Sequence, residues 1–103
     1  MSKLLLLDEY EAFSNPAILI YDTDTDILEQ LTINLCSLPD NKTALNIVDY
    51  PFVEDFLTEN HFVEKSDDAV LSEGIRYPVC IPIFTDEIDV TASFEKYKNK
   101  GDK

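Results

Sequence analysis

Five apolar residues in a row, Ala17–Tyr21 (AILIY), run without a spacer into aspartates at every second position, Asp22, Asp24 and Asp26 (YDTDTDI). A run this short, rich in isoleucine and ending in an aromatic, reads as a strand in the middle of a sheet. Such a strand needs neighbours on both sides and cover on both faces, which commits the chain to a layered fold.

The next segment, 26–38, admits two readings. Asp26 and Glu29 have the spacing of a capping box, and Ile27, Leu28, Leu31 and Leu35 share a helical face. Leu31, Ile33 and Leu35 also alternate with Gln30, Thr32 and Asn34, and the β-branched Thr32 and Ile33 tip the balance to strand. Residues 21–27 then become a hairpin turn with acids crowded at its tip. Upstream, Leu4–Leu7 fits a buried strand or a helix shared with Tyr10 and Phe13, ended by Asn15-Pro16.

Further along, LPDNKT (38–43) reads as a loop and Ala44–Val48 as a short strand. Asp49–His61 (DYPFVEDFLTENH) is the best helix, with Pro51 in its first turn and Phe52, Val53, Phe56 and Leu57 on one face. Ser66–Asp68 reads as a loop. Ala69–Leu71 and Ile75–Phe84 form hairpin arms around a turn that uses Gly74. Pro78 and Pro82 exclude a ladder partner on one side, which suggests an edge or bulged strand. Glu87–Glu95 alternates Ile88, Val90, Ala92 and Phe94 with polar residues, the pattern of a strand with one wet face. The expected fold is α+β: a mostly antiparallel sheet with one good helix packed on it and a second near the N-terminus.

The chain has 103 residues, enough for one core. Its charge is uneven. Residues 1–95 carry 20 acids and 4 bases, a net of −16, and form the expected single acidic domain. Residues 96–103 (KYKNKGDK) carry 4 lysines and 1 aspartate and read as a basic, flexible tail, from which Lys98–Lys103 should be removable without change of function. A domain so negative repels itself but attracts cations and basic proteins over long range. It lacks the basic footprint that nucleic acid or an anionic membrane requires. Cys36 and Cys80 sit among apolar neighbours with no CxxC spacing, so free buried thiols are expected, in keeping with a reducing cytoplasm. The apolar run at the start ends at Asp8, too short for a signal peptide or a membrane span. The expectation is a cytoplasmic protein, monomeric when free.

No cofactor, metal or catalytic set is expected. An EF-hand loop beginning at Asp22 matches the first three ligand positions, but position 6 is Ile27 instead of glycine and position 12 is Ile33 instead of glutamate. The single histidine, His61, falls at a helix end, where it caps carbonyls or faces solvent. The two glycines, Gly74 and Gly101, cannot build a phosphate loop, and Arg76 is the sole arginine.

An interaction surface is the remaining function. If residues 21–26 are extended, Asp22, Asp24 and Asp26 line one face about 6.6 Å apart. Asp86, Glu87 and Asp89 form a second acidic group. Asp49, Tyr50, Glu54 and Asp55 mix acids with an aromatic, and tyrosine amid charge buries interface area at little entropic cost. Asp22, Asp24, Asp26, Asp49, Tyr50, Glu54 and Asp55 are expected on one partner-binding surface, with Asp86 and Glu87 as further candidates.

In YDTDTD, DYPFVEDF and TDEID, carried on a short acidic domain, the chain resembles the small acidic immunity proteins of bacterial toxin systems such as contact-dependent growth inhibition. The resemblance is one of type and spans the whole chain. It implies a cognate cationic toxin, an RNase or DNase, whose active site the protein blocks. The alternative is a nucleic-acid mimic of the anti-restriction or anti-CRISPR kind, in which carboxylates stand in for phosphates. A third reading is an acidic adaptor or phage accessory protein.

Overall fold

In the computed structural model, which describes residues 2–39 and 41–101, AILIY lies inside an antiparallel sheet. β1 (Lys3–Glu9) and β2 (Pro16–Asp22) form a long hairpin, with Leu5 opposite Ile20 and Leu7 opposite Ile18. Leu4–Leu7 is therefore strand. β3 (Ile27–Gln30) pairs with the other side of β2, with Ile27 opposite Asp22, so residues 23–26 are the hairpin turn.

At Leu31 the chain turns a corner. Leu31 is fully buried; its N–H donates to the Ile18 carbonyl (2.8 Å) and its carbonyl accepts from the Asn46 N–H (2.9 Å). β4 (Thr32–Ile33) then enters a second sheet beside β5 (Thr43–Leu45). Segment 27–33 is thus strand on both sides of the corner.

α1 (Val53–Glu59) is shorter than the expected 49–61. Asn46 captures the chain before it: its carbonyl accepts from the Tyr50 N–H (3.0 Å), and its side chain bonds Asp49. Pro51 also disfavours helical backbone at Tyr50, so it precedes the helix instead of opening it. At the other end, the N–H groups of His61 and Phe62 reach the carbonyls of Thr58 and Leu57. That pattern, with His61 at φ +60°, is a Schellman cap, so His61 ends the helix through its backbone.

β6 (Val63–Ser72) and β7 (Ile75–Pro82) form a hairpin around Glu73 and Gly74, both at positive φ (51° and 81°) as a tight two-residue turn requires. Ser66–Asp68 is not a loop. It is a bulge within β6, where the register slips between Lys65 (opposite Cys80) and Ala69 (opposite Pro78). Nor is β7 an edge strand, because it lies between β5 and β6. Its prolines are tolerated because the ladder to β5 covers only Val79 and Cys80, between them.

The largest departure is at the end of the chain. β8 is only Ile88–Asp89, and α2 (Thr91–Gly101) follows. Val90 and Phe94 are buried and Tyr97 half-buried, which is helical spacing, whereas Ala92 is exposed. Period 2 and period 3.6 share Val90 and Phe94, so alternation alone could not separate them. Asp89 Oδ1 accepts from the Thr91 N–H (3.0 Å) and hydroxyl (2.6 Å), supporting the helix start. Lys96–Gly101 continues α2 and does not fray as a tail; Asp102 and Lys103 lie outside the described residues.

The fold is α+β and mostly antiparallel, with sheet orders β3-β2-β1-β8 and β4-β5-β7-β6. The second helix lies at the C-terminal end of the chain. The core joins Leu5, Ile18, Ile20, Leu31 and Leu45 of the sheets to Phe56 and Leu57 of α1 and Phe94 of α2. The Phe94 ring centroid is 5.5 Å from those of both Phe52 and Phe56, each pair edge-on. Lys3 ties β1 to α2, with its ammonium 2.6 Å from Glu95 and 5.0 Å from the centre of the Phe94 ring.

Candidate functional site

None of the described carboxylate residues is buried. The turn after β2 uses its aspartates to shape itself. Asp22 Oδ1 accepts from the N–H groups of Asp24 (2.9 Å) and Thr25 (3.2 Å), which hold its carboxyl below the ordinary value. Asp26 stands at φ +57°, and its carboxylate accepts the Tyr21 hydroxyl (2.5 Å). That bond, with burial and nearby charge, raises the Tyr21 phenol. The extended, evenly spaced carboxylate row is therefore not formed. The three acids share a compact turn instead, with Asp24 exposed at its tip.

β3 carries this turn toward a second group. Ile27 and Leu28 are each 54% exposed on this outer strand of the first sheet. Glu29 follows, and its Oε1 accepts the Tyr50 hydroxyl (3.0 Å) across 21 residues of sequence. Burial first, then Glu29 and Asp49, push the Tyr50 phenol far up. Beside it, Asp49 Oδ2 accepts from the Asn46 side-chain amide (3.0 Å).

These residues enclose a cleft of about 490 Å³ lined by Glu29, Asp49, Tyr50, Pro51, Phe52, Phe94 and Lys98. The turn 46–52 supplies one wall, β3 another and α2 the third. Tyr50 and Phe52 meet edge-on, with centroids 6.2 Å apart.

The structure thus brings Asp49 and Tyr50 together and joins them, through β3, to Asp22, Asp24 and Asp26. The rest do not line the cleft. Glu54 lies on the far side of Pro51, in a hollow shared with Arg76, with the Lys65 ammonium 3.9 Å away. Asp55 is exposed on α1, where its charge acts on Tyr97. Asp86 and Glu87 are exposed just before β8, at the opposite edge of the first sheet from β3.

Glu29, Phe94 and Lys98 were not among the expected site residues. Glu29 reads in sequence as a capping partner, Phe94 as part of a strand and Lys98 as tail. They meet only where β3, the 46–52 turn and α2 come together in space.

His61 is exposed at the end of α1. Cys36 and Cys80 are free thiols; burial pushes that of Cys80 up to about 12. Among the described residues, no group of three His, Cys, Asp or Glu is placed to hold a metal ion, and no helix is long and apolar enough to cross a membrane. Comparison with known families, with curated proteins and with solved structures finds no match for this chain.

Proposed function

We propose that the protein is an inhibitor of a cationic partner, an immunity protein that binds a basic nuclease toxin and covers its active site. The observation that carries this reading is the edge along β3. An acidic turn, two exposed aliphatic residues and an acid-and-aromatic cleft follow one another there, from Asp22 to Glu29 and across to Asp49 and Tyr50. An interface with an apolar centre and a charged rim has this composition. A net charge of −13 would steer a basic partner toward it. The nucleic-acid mimic draws on a regular carboxylate row, which the turn does not keep.

The test uses the tagged full chain as bait in lysate of its native cells, with salt elution and mass spectrometry. The expected capture is one basic nuclease that is toxic when expressed alone, is rescued by co-expression and loses activity when this protein is added. Capture of a restriction, repair or CRISPR component would move the assignment to mimicry. Capture of nothing basic would remove it.

A further inference from the structure

We infer that the cleft between β3, the 46–52 turn and α2 receives an arginine side chain of the basic partner. The inference deepens the inhibitor reading and rests on it for the identity of the partner, but not for the chemistry of the cleft.

Two carboxylates face the space, and each is held by a neutral donor: Glu29 by the Tyr50 hydroxyl on Oε1, Asp49 by the Asn46 amide on Oδ2. Their orientation is set, and each has a second oxygen for an incoming donor. The walls are aromatic. Tyr50 and Phe52, both half-buried, offer ring surface to this space, and the buried Phe94 backs Phe52 edge-on. A planar cation that hydrogen-bonds carboxylates and stacks on rings is a guanidinium; an ammonium offers neither the fork nor the flat face. At about 490 Å³ the cleft falls within the usual range for small-molecule sites.

Charge complementarity selects the occupant. A second copy of this chain would bring another net −13 and another Asp22–Asp26 turn against the first, so the β3 edge suits a basic protein. Among the described residues, Lys98 is the one cation lining the cleft. Its ammonium opposes a second positive charge, so removing it should strengthen binding.

The probe is the peptide acetyl-Gly-Arg-Gly-amide, with lysine and citrulline counterparts, titrated into the isotope-labelled full chain at low salt and followed by amide NMR shifts. The expected result is a saturable response centred on Glu29, Asp49, Tyr50 and Phe52, stronger for arginine than lysine and lost with citrulline. Glu29→Gln with Asp49→Asn should weaken it at least about tenfold. Lys98→Gln should tighten it, and Glu64→Gln on the other sheet should leave it within about twofold. Tyr50→Phe, which keeps the ring and removes only the hydroxyl, guards against misfolding of the double variant and should also weaken binding.

A response spread over all exposed acids, equal for arginine and lysine, would overturn the inference. So would a response confined to residues 22–26, or one that tracks self-association in sedimentation. The two readings fail separately. A captured toxin that binds the Glu29→Gln/Asp49→Asn variant as well as the parent overturns the cleft and leaves the inhibitor standing. Arginine binding in the cleft with no toxin captured does the reverse.

Discussion

Asp22, Asp49 and Glu29 show how a carboxylate's use depends on which donor reaches it. Asp22 spends one oxygen on two backbone N–H groups of its own turn, while Glu29 and Asp49 are oriented by the side chains of Tyr50 and Asn46 on the wall of a cleft. Sequence counts all three alike. At the same scale, Thr43 is 1% exposed, and its hydroxyl has no hydrogen-bond partner among the described residues. A buried polar group without a partner costs free energy. Thr43→Val keeps the shape and removes the hydroxyl, and should raise stability by about 1 kcal/mol. Urea denaturation would check it, and a lower midpoint would mean that the hydroxyl is satisfied in solution.

At the scale of elements, α2 changes what the end of the chain does. Tyr97 places its ring 5.6 Å from that of Phe56 and donates its hydroxyl to Glu59 (2.6 Å). Tyr97, read as part of a flexible tail, therefore braces α1. A chain ending at Glu95 should lose on the order of 1–3 kcal/mol from the missing aromatic burial. Phe94→Ala, which empties a fully buried site, should lose about 3–5 kcal/mol. Thermal and denaturant unfolding of both variants would check this ordering. A truncation that unfolds like the parent would return residues 96–103 to the status of a tail. β6 illustrates a different economy. Its outer position is made safe by the bulge and by Glu64, Asp67 and Asp68 around it, devices that discourage pairing with another chain.

At the scale of the molecule, pH acts from both sides. Hydrogen bonds and nearby cations hold the carboxyls of Asp22, Asp68, Asp89 and Glu95 below their ordinary values. A depressed folded value contributes stability that is present above the unfolded value, near pH 4, and is lost as pH falls through the folded one. The phenols of Tyr10, Tyr21, Tyr50 and Tyr97 are raised, so their contribution is present below about pH 10 and is lost as pH climbs through the folded values. Melting temperature should hold between these limits and fall on either side. Because the carboxyls are largely exposed, each contribution is small. Added salt at neutral pH should raise the melting temperature by screening the self-repulsion of a −13 chain. A melting temperature that rises steadily down to pH 3 would show that this repulsion outweighs all four carboxyl interactions.

By itself the sequence determined the apolar strand AILIY, the acidic turn after it, the Gly74 hairpin and the α+β class. Each rests on neighbours within a few residues, where backbone preference and burial pattern act directly. The radius of gyration expected from length alone, about 13 Å, is also the observed 13.0 Å. The tertiary structure alone decided whether Val90 and Phe94 belong to a strand or a helix, because both periods place them on the buried side and only packing against Phe52 and Phe56 selects one. It alone moved β7 into the sheet interior, since the reach of the β5 ladder is not written in β7. It alone assembled the cleft, because Glu29, Asp49 and Lys98 lie far apart in the chain and meet only when β3, the 46–52 turn and α2 close around one core.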